Sequence, residues 1–292
     1  MFFTNFLLFL IPLLISVAFL TLMERKLLSI VGFRLGPNKV SIYGFLQPIS
    51  DAFKLMNKEA NLLSNFSFFF YYMGAFGMLT MALLVWGSVV DLVSFKHSIL
   101  IFMLILGLNS MLCIFCGWST FSKYPLLGSL RTVAQLISYE SLLYLCLFFF
   151  LCFFYTFNVY SIKLDSLFLF SFLAPICFYV WLPSMLAELN RTPYDFSEGE
   201  SELVSGFNTE FGSESFTFIF LAEYGNIIFF CSLSSYLFFN PLNFFFFFFF
   251  FFTIWIRSVL PRYRFDKLMN LVWKFLLPLL TLIFIYYSLE LF

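Results

Sequence analysis

The chain has 292 residues, 62% hydrophobic and 11% charged, with 16 basic residues balancing 16 acidic ones. A mean hydropathy of +0.96, carried by apolar runs of about 20 residues along the whole length, excludes a soluble globule. The partners to expect are therefore the lipid bilayer and other membrane proteins, not nucleic acid.

The reading is therefore an all-α integral membrane protein, one polytopic domain over residues 1–292. The first apolar run, near 3–23, ends in Glu24-Arg25-Lys26 with no small-residue cleavage site, so it reads as a retained spanning helix rather than a signal peptide. Glu24-Arg25 is either an interface anchor or part of a site. Over 45–58, a wheel at about 100° per residue puts Phe45, Leu46, Ile49, Ala52, Phe53, Leu55 and Met56 on one half. Gln47, Ser50, Asp51, Lys54, Asn57 and Lys58 take the other half, which predicts an interfacial helix lying along the membrane surface. Pro48 falls in its first turn, where a missing N–H does no harm.

Further spans are predicted near 66–90, 98–118, 133–157, 166–187, 215–238, 243–260 and 271–291, giving about eight. With that count, the long or charged connections all fall on one side. Lys and Arg follow the same split, and only Lys96 and Lys163 lie opposite. By the positive-inside tendency the charged face is the cytoplasmic or matrix side, with both termini across the membrane from it.

Phenylalanine supplies 50 residues, nine of them consecutive from Phe244 to Phe252. This reads as the codon bias of an AT-rich organellar genome, tolerated because Phe and Leu are both strongly apolar on insertion scales. The six cysteines fall in or beside apolar runs and form no disulfide framework. Cys113 and Cys116 have CxxC spacing, but there is no second pair and the one histidine, His97, lies away from them, so no metal site is expected.

Two carboxylates interrupt spans. An ionised side chain at the bilayer centre costs at least ~2.5–3.5 kcal/mol, so such groups mark either function or a packing ion pair. Glu140 lies nine residues beyond Arg131, about 13 Å along a helix, too far to reach the surface. Glu223 is similar but shallower. Arg131 reads as a snorkelling residue at a helix mouth or as an ion-pair partner. The stretch "LAELNRTPYDFSEGESELVSGFNTEFGSES" holds seven of the 16 carboxylates and one base, Arg191, which is expected to tie the loop together. Ser197 with Glu200 makes a capping box, and capping accounts for Glu198 and Glu200. It does not account for Glu188, Asp195, Glu202, Glu210 and Glu214 as well; crowded like charges near a membrane can share and relay protons. A stand-alone ion-coupled transporter or a structural anchor remains compatible with these residues alone.

Four strings, "ERKLLSIVGFRLGPNKVSIYGFLQPISDAFKL", "GWSTFSKYPLLGSLRTVAQLISYE", "LAELNRTPYDFSEGESELVSGFNTEF" with "FLAEYGNII", and "WIRSVLPRYRFDKLMNLVWKFLLP", resemble in order the subunit 1 family of membrane NADH dehydrogenases in respiratory complex I. The related membrane subunits of hydrogenase-type complexes share that ancestry. The resemblance implies a multi-pass subunit of the mitochondrial inner membrane, part of a proton-translocating NADH:ubiquinone reductase. It would sit where the membrane arm meets the peripheral arm, forming much of the quinone tunnel. No cofactor is expected in this chain; ubiquinone is the substrate, and flavin and iron–sulfur clusters belong to partner subunits. The first span, interfacial helix and sixth span would frame the tunnel mouth, which points to Glu24, Arg25, Arg34, Asp51 and Phe220. Glu140, Glu188, Asp195, Glu198, Glu200, Glu202 and Glu223 would begin a proton path into the membrane arm. Arg131 and Arg191 would make structural ion pairs.

Overall fold

The computed structural model describes residues 2–59, 67–89, 98–154, 167–196, 206–239 and 243–291. Regular structure among them is helical throughout: α1 (Phe2–Val31), α2 (Gln47–Met56), α3 (Phe68–Val89), α4 (Ser98–Ser119), α5 (Lys123–Phe154), α6 (Leu167–Glu188), α7 (Ser213–Phe239), α8 (Asn243–Val259), α9 (Phe265–Leu271) and α10 (Leu277–Leu291). A π turn, Val272–Leu276, joins the last two, and 3-10 turns occupy Ile42–Gly44 and Gly206–Glu210. Among the described residues five helical stretches, Phe68–Gly87, Ser98–Ser119, Lys123–Cys152, Ser213–Phe239 and Phe265–Tyr286, are long and apolar enough to cross a membrane. The chain is an all-α membrane protein.

Two helices run further than the apolar runs predict. The first continues through Glu24-Arg25-Lys26 to Val31, because those residues are good helix formers, and stops where Phe33 takes a left-handed φ of 52°. The fifth begins at Lys123, ten residues before the predicted span, with Pro125 harmless in its first turn. Its opening is polar but buried: Ser129, Thr132, Gln135 and Ser138 are at most 2% exposed. Hydropathy takes such residues for loop, although here they face protein.

Between helices in lipid, close approach and polar contacts do more than apolar burial. A Cβ on Gly74 of α3 would come within 2.6 Å of Cys116 Sγ on α4, so those helices touch at backbone distance. Gly128 of α5 is equally crowded, with Phe207 N 2.8 Å from its would-be Cβ, which seats the 3-10 turn of the acidic segment on α5. Cys113 and Cys116 are buried, and Cys116 Sγ lies 3.9 Å from Met78 Sδ. The phenylalanine run is not uniform: Phe249 is fully buried, while Phe247 and Phe248 are about half exposed.

α2 packs against α1 and α7. Its apolar half stays open, with Ile49, Phe53 and Met56 each about half exposed or more. Its polar half does not simply meet water, since Asp51 accepts from Arg25 of α1 and from Gln47 of its own helix.

Candidate functional site

Four elements converge at the charged end of the bundle. α1 delivers Glu24, α7 delivers Phe220, Glu223 and Tyr224, α8 delivers Arg257, and the turn after α6 delivers Asn190, Arg191 and Asp195. Glu24 is 6% exposed. Its Oε1 accepts from Arg191 Nη1 at 3.2 Å and from Arg257 Nη1, and its Oε2 accepts from the Tyr224 hydroxyl at 2.7 Å. The Arg191 guanidinium also lies over the Tyr224 ring, 4.5 Å from its centroid. Burial works against the Arg191 charge, but Glu24, with Tyr224 and Glu223 nearby, holds its pKa above the ordinary guanidinium value. Arg191 therefore reaches across to Glu24 of α1.

The turn carrying Arg191 is held from two sides. Gln135 Nε2, on α5, donates to the carbonyls of Ala187 and Tyr194, each at 2.8 Å. From beyond α8, Arg262 donates to the Asp195 carbonyl, and the Tyr263 N–H donates to the Pro193 carbonyl at 3.0 Å.

Behind the ion cluster lies polar space. A chamber of about 110 Å3 is walled by Asn190, Arg191, Asp195, Phe220, Glu223 and Arg257 among others. A smaller cavity of about 30 Å3 follows, walled by Asn109, Glu188, Asn190, Glu223 and Asn226 with apolar neighbours. Asn190 and Glu223 line both. Further along, α1 and α8 form an open apolar groove of about 540 Å3, lined by Leu27, Ile30, Phe248, Phe251 and Trp255.

The predicted site residues separate into groups. Glu24 and Phe220 belong to the buried centre, where Phe220 packs on Tyr224 with centroids 4.4 Å apart. Arg25 and Asp51 pair at the surface at 2.6 Å, with Gln47 Nε2 donating to the same carboxylate at 2.9 Å. Arg34 is exposed past the end of α1 and joins neither group. Glu140 and Glu188 are each 8% exposed. Neither Glu140 Oε1 nor Glu188 Oε2 has a hydrogen-bond partner, and neither residue has an ion pair among the described residues. Arg131 is partly buried in α5. Glu198, Glu200 and Glu202, with the capping Ser197, lie outside the described residues. Among those described, no cluster of His, Cys, Asp and Glu could hold a metal ion.

Sequence reasoning missed Tyr224, Arg257, Gln135 and Asn190. The first three carried a usable signal, being polar residues in or beside apolar runs. Their partners are 200, 233 and 52 or 59 residues away, so the pairings themselves are not visible.

The model of the family described as NADH dehydrogenase matches residues 4–288. NADH-ubiquinone oxidoreductase chain 1 of Aedes aegypti is 46% identical, covering 98% of this chain and 95% of the relative. The protein of the same name from Anopheles gambiae is 45% identical over the same shares, and that of Strongylocentrotus purpuratus is 42% identical, covering 93% and 89%.

Proposed function

The chain belongs to the NADH dehydrogenase family, and from that premise we propose that it is the quinone-tunnel membrane subunit of a proton-translocating NADH:ubiquinone oxidoreductase. It works in the mitochondrial inner membrane as a protein of eight spans. Neighbouring membrane subunits and the peripheral quinone-site subunits of complex I are its partners. Flavin and iron–sulfur clusters reside in those partners, and this chain contributes the passage for ubiquinone and the first carboxylates of a proton route.

The observation that carries this reading is the 110 Å3 chamber, whose walls combine Arg191 and Arg257, two cations that share the single anion Glu24, with Asp195 and Glu223. A quinone carbonyl gaining electrons becomes basic, and fixed cations with nearby acids are what a site needs to stabilise that charge and deliver protons. Glu24, Arg25, Arg34, Asp51 and Phe220 guide the quinone toward the chamber. Asp195, Glu223, Glu188 and Glu140, with Glu198, Glu200 and Glu202, move the protons. The cost of keeping acids buried in a membrane subunit favours this over a passive anchor.

The test is Glu223→Gln in the assembled complex. Electron transfer from NADH to an artificial acceptor at the flavin should be unchanged per complex, while ubiquinone-coupled proton translocation is lost. Equal translocation in variant and parent, at equal abundance, would remove Glu223 from the route and with it the function proposed for the chamber.

A further inference from the structure

We infer that Cys113, Cys116 and Met78 form a three-sulfur binding site for a soft monovalent metal ion, Cu(I), between α3 and α4. Sequence spacing gives only the CxxC pair on α4, and the fold brings a thioether to it from α3. All three side chains are buried in one cluster, and the Cys116 thiol donates to Met78 Sδ at 3.9 Å.

The separation of the sulfurs suits a metal. Three sulfurs held about 2.3 Å from a trigonal ion, the length of a metal–thiolate bond, stand about 4.0 Å from one another. The 3.9 Å between Cys116 and Met78 already meets that figure. Cys113 is three residues from Cys116, so it lies one turn away on the same face of α4, within side-chain reach.

The packing around the sulfurs makes room for them and gives access. Gly74 stands one turn before Met78 on α3, and a Cβ there would come within 2.6 Å of Cys116 Sγ, so the missing side chain lets that thiol sit against α3. Met78 and Cys113 both line the 30 Å3 cavity, so an ion that reaches the cavity meets two of the three sulfurs.

The donors select the ion. Thiolate and thioether sulfurs are soft and favour Cu(I), whereas Mg2+ and Ca2+ take oxygen. Zn2+ sites are built from Cys, His and carboxylate rather than thioether. Charge points the same way: a monovalent ion on one thiolate and two neutral sulfurs makes a neutral site, and an apolar cluster penalises an uncompensated charge. On binding, the S–H bond of Cys113 breaks, its electron pair goes to the metal and its proton leaves into the cavity. Cys116 as a thiol and Met78 as a thioether each donate a lone pair, and no electron changes owner.

The test titrates the assembled, solubilised complex with Cu(I), without oxygen and against a chelator of known affinity, and counts the copper retained. The parent should retain one copper more than Cys113→Ser/Cys116→Ser. Met78→Leu conserves volume and so keeps the packing. It should weaken that copper by more than roughly tenfold, since even an indirect partner of a metal is worth that much. A difference density map between copper-loaded and untreated parent should show a peak among the three sulfurs. Equal copper in the parent and the double cysteine variant overturns the site, and so does unchanged affinity in M78L, which would remove the thioether from it. A map without the peak overturns it too, and if either variant fails to accumulate the map of the parent decides alone.

Discussion

Glu24 and Glu188 are almost equally buried, at 6% and 8% exposure, yet the molecule treats them in opposite ways. Glu24 is fastened by Arg191, Arg257 and Tyr224. Glu188 Oε2 meets no hydrogen-bond partner among the described residues, and Glu140 Oε1 is in the same position. A carboxylate between two guanidiniums is a fixed charge, since protonating it would strand both cations. Glu188, which borders a small polar cavity, has no ion pair to lose among the described residues, as the proton-carrying role proposed for it requires. Burial is the same for both acids; the partners differ.

The largest effect expected from breaking this contrast is at Glu24. Glu24→Gln keeps the shape but leaves Arg191 and Arg257 without their shared anion, and breaking a buried pair this way costs about 3–5 kcal/mol. The subunit should fail to accumulate in membranes, measured by its abundance relative to a neighbouring membrane subunit. Normal abundance of E24Q would mean that the cluster is not the fixed charge described here. Tyr224→Phe is milder: it removes one hydrogen bond to a charged group, about 1.5–3 kcal/mol, and keeps the ring beneath Arg191. Assembly should survive, with faster heat inactivation of the solubilised complex.

Which side of the contrast each acid falls on was only half legible in the sequence. Glu140 and Glu223 announce themselves, because a carboxylate within an apolar run has a cost that needs an explanation. Glu24 announces itself less clearly: it follows a run and precedes Arg25, so the nearest base in sequence looks like its partner. The fold gives it Arg191 and Arg257 instead, because residues 24 and 25 point about 100° apart on a helix. Arg25 turns to Asp51 of α2. The helices themselves follow the apolar runs closely, and the main shortfall, at the start of α5, comes from polar residues that pack inside. Asn190 left no mark at all, since one sequence does not reveal a left-handed residue whose side chain meets a cavity.

Glu140→Gln and Glu188→Gln sharpen the comparison from the other side. Neither strands a cation among the described residues, so each should change stability by less than about 1 kcal/mol, within the net worth of one ordinary hydrogen bond. Abundance should stay at the parent level while proton translocation coupled to ubiquinone reduction is lost. Low abundance with normal turnover per complex would instead make these acids packing groups.

The smallest stability effect belongs to Arg25 and Asp51, the ion pair at the surface. Their side chains are 50% and 33% exposed, and water at that exposure screens the attraction, so the pair contributes under about 1 kcal/mol. Replacing either residue with Ala should leave subunit abundance unchanged, and the two losses combined should show little coupling in a double-mutant cycle. Glu24, one residue earlier in the same helix, provides the internal control, because it differs chiefly in facing inward. A functional role for the pair then has a distinct signature: ubiquinone reduction falls in R25A and D51A while electron transfer to a flavin-side acceptor holds. If either variant loses abundance as E24Q is expected to, the outer pair is as structural as the inner cluster, and the division between fixed inner charge and solvent-screened outer charge fails.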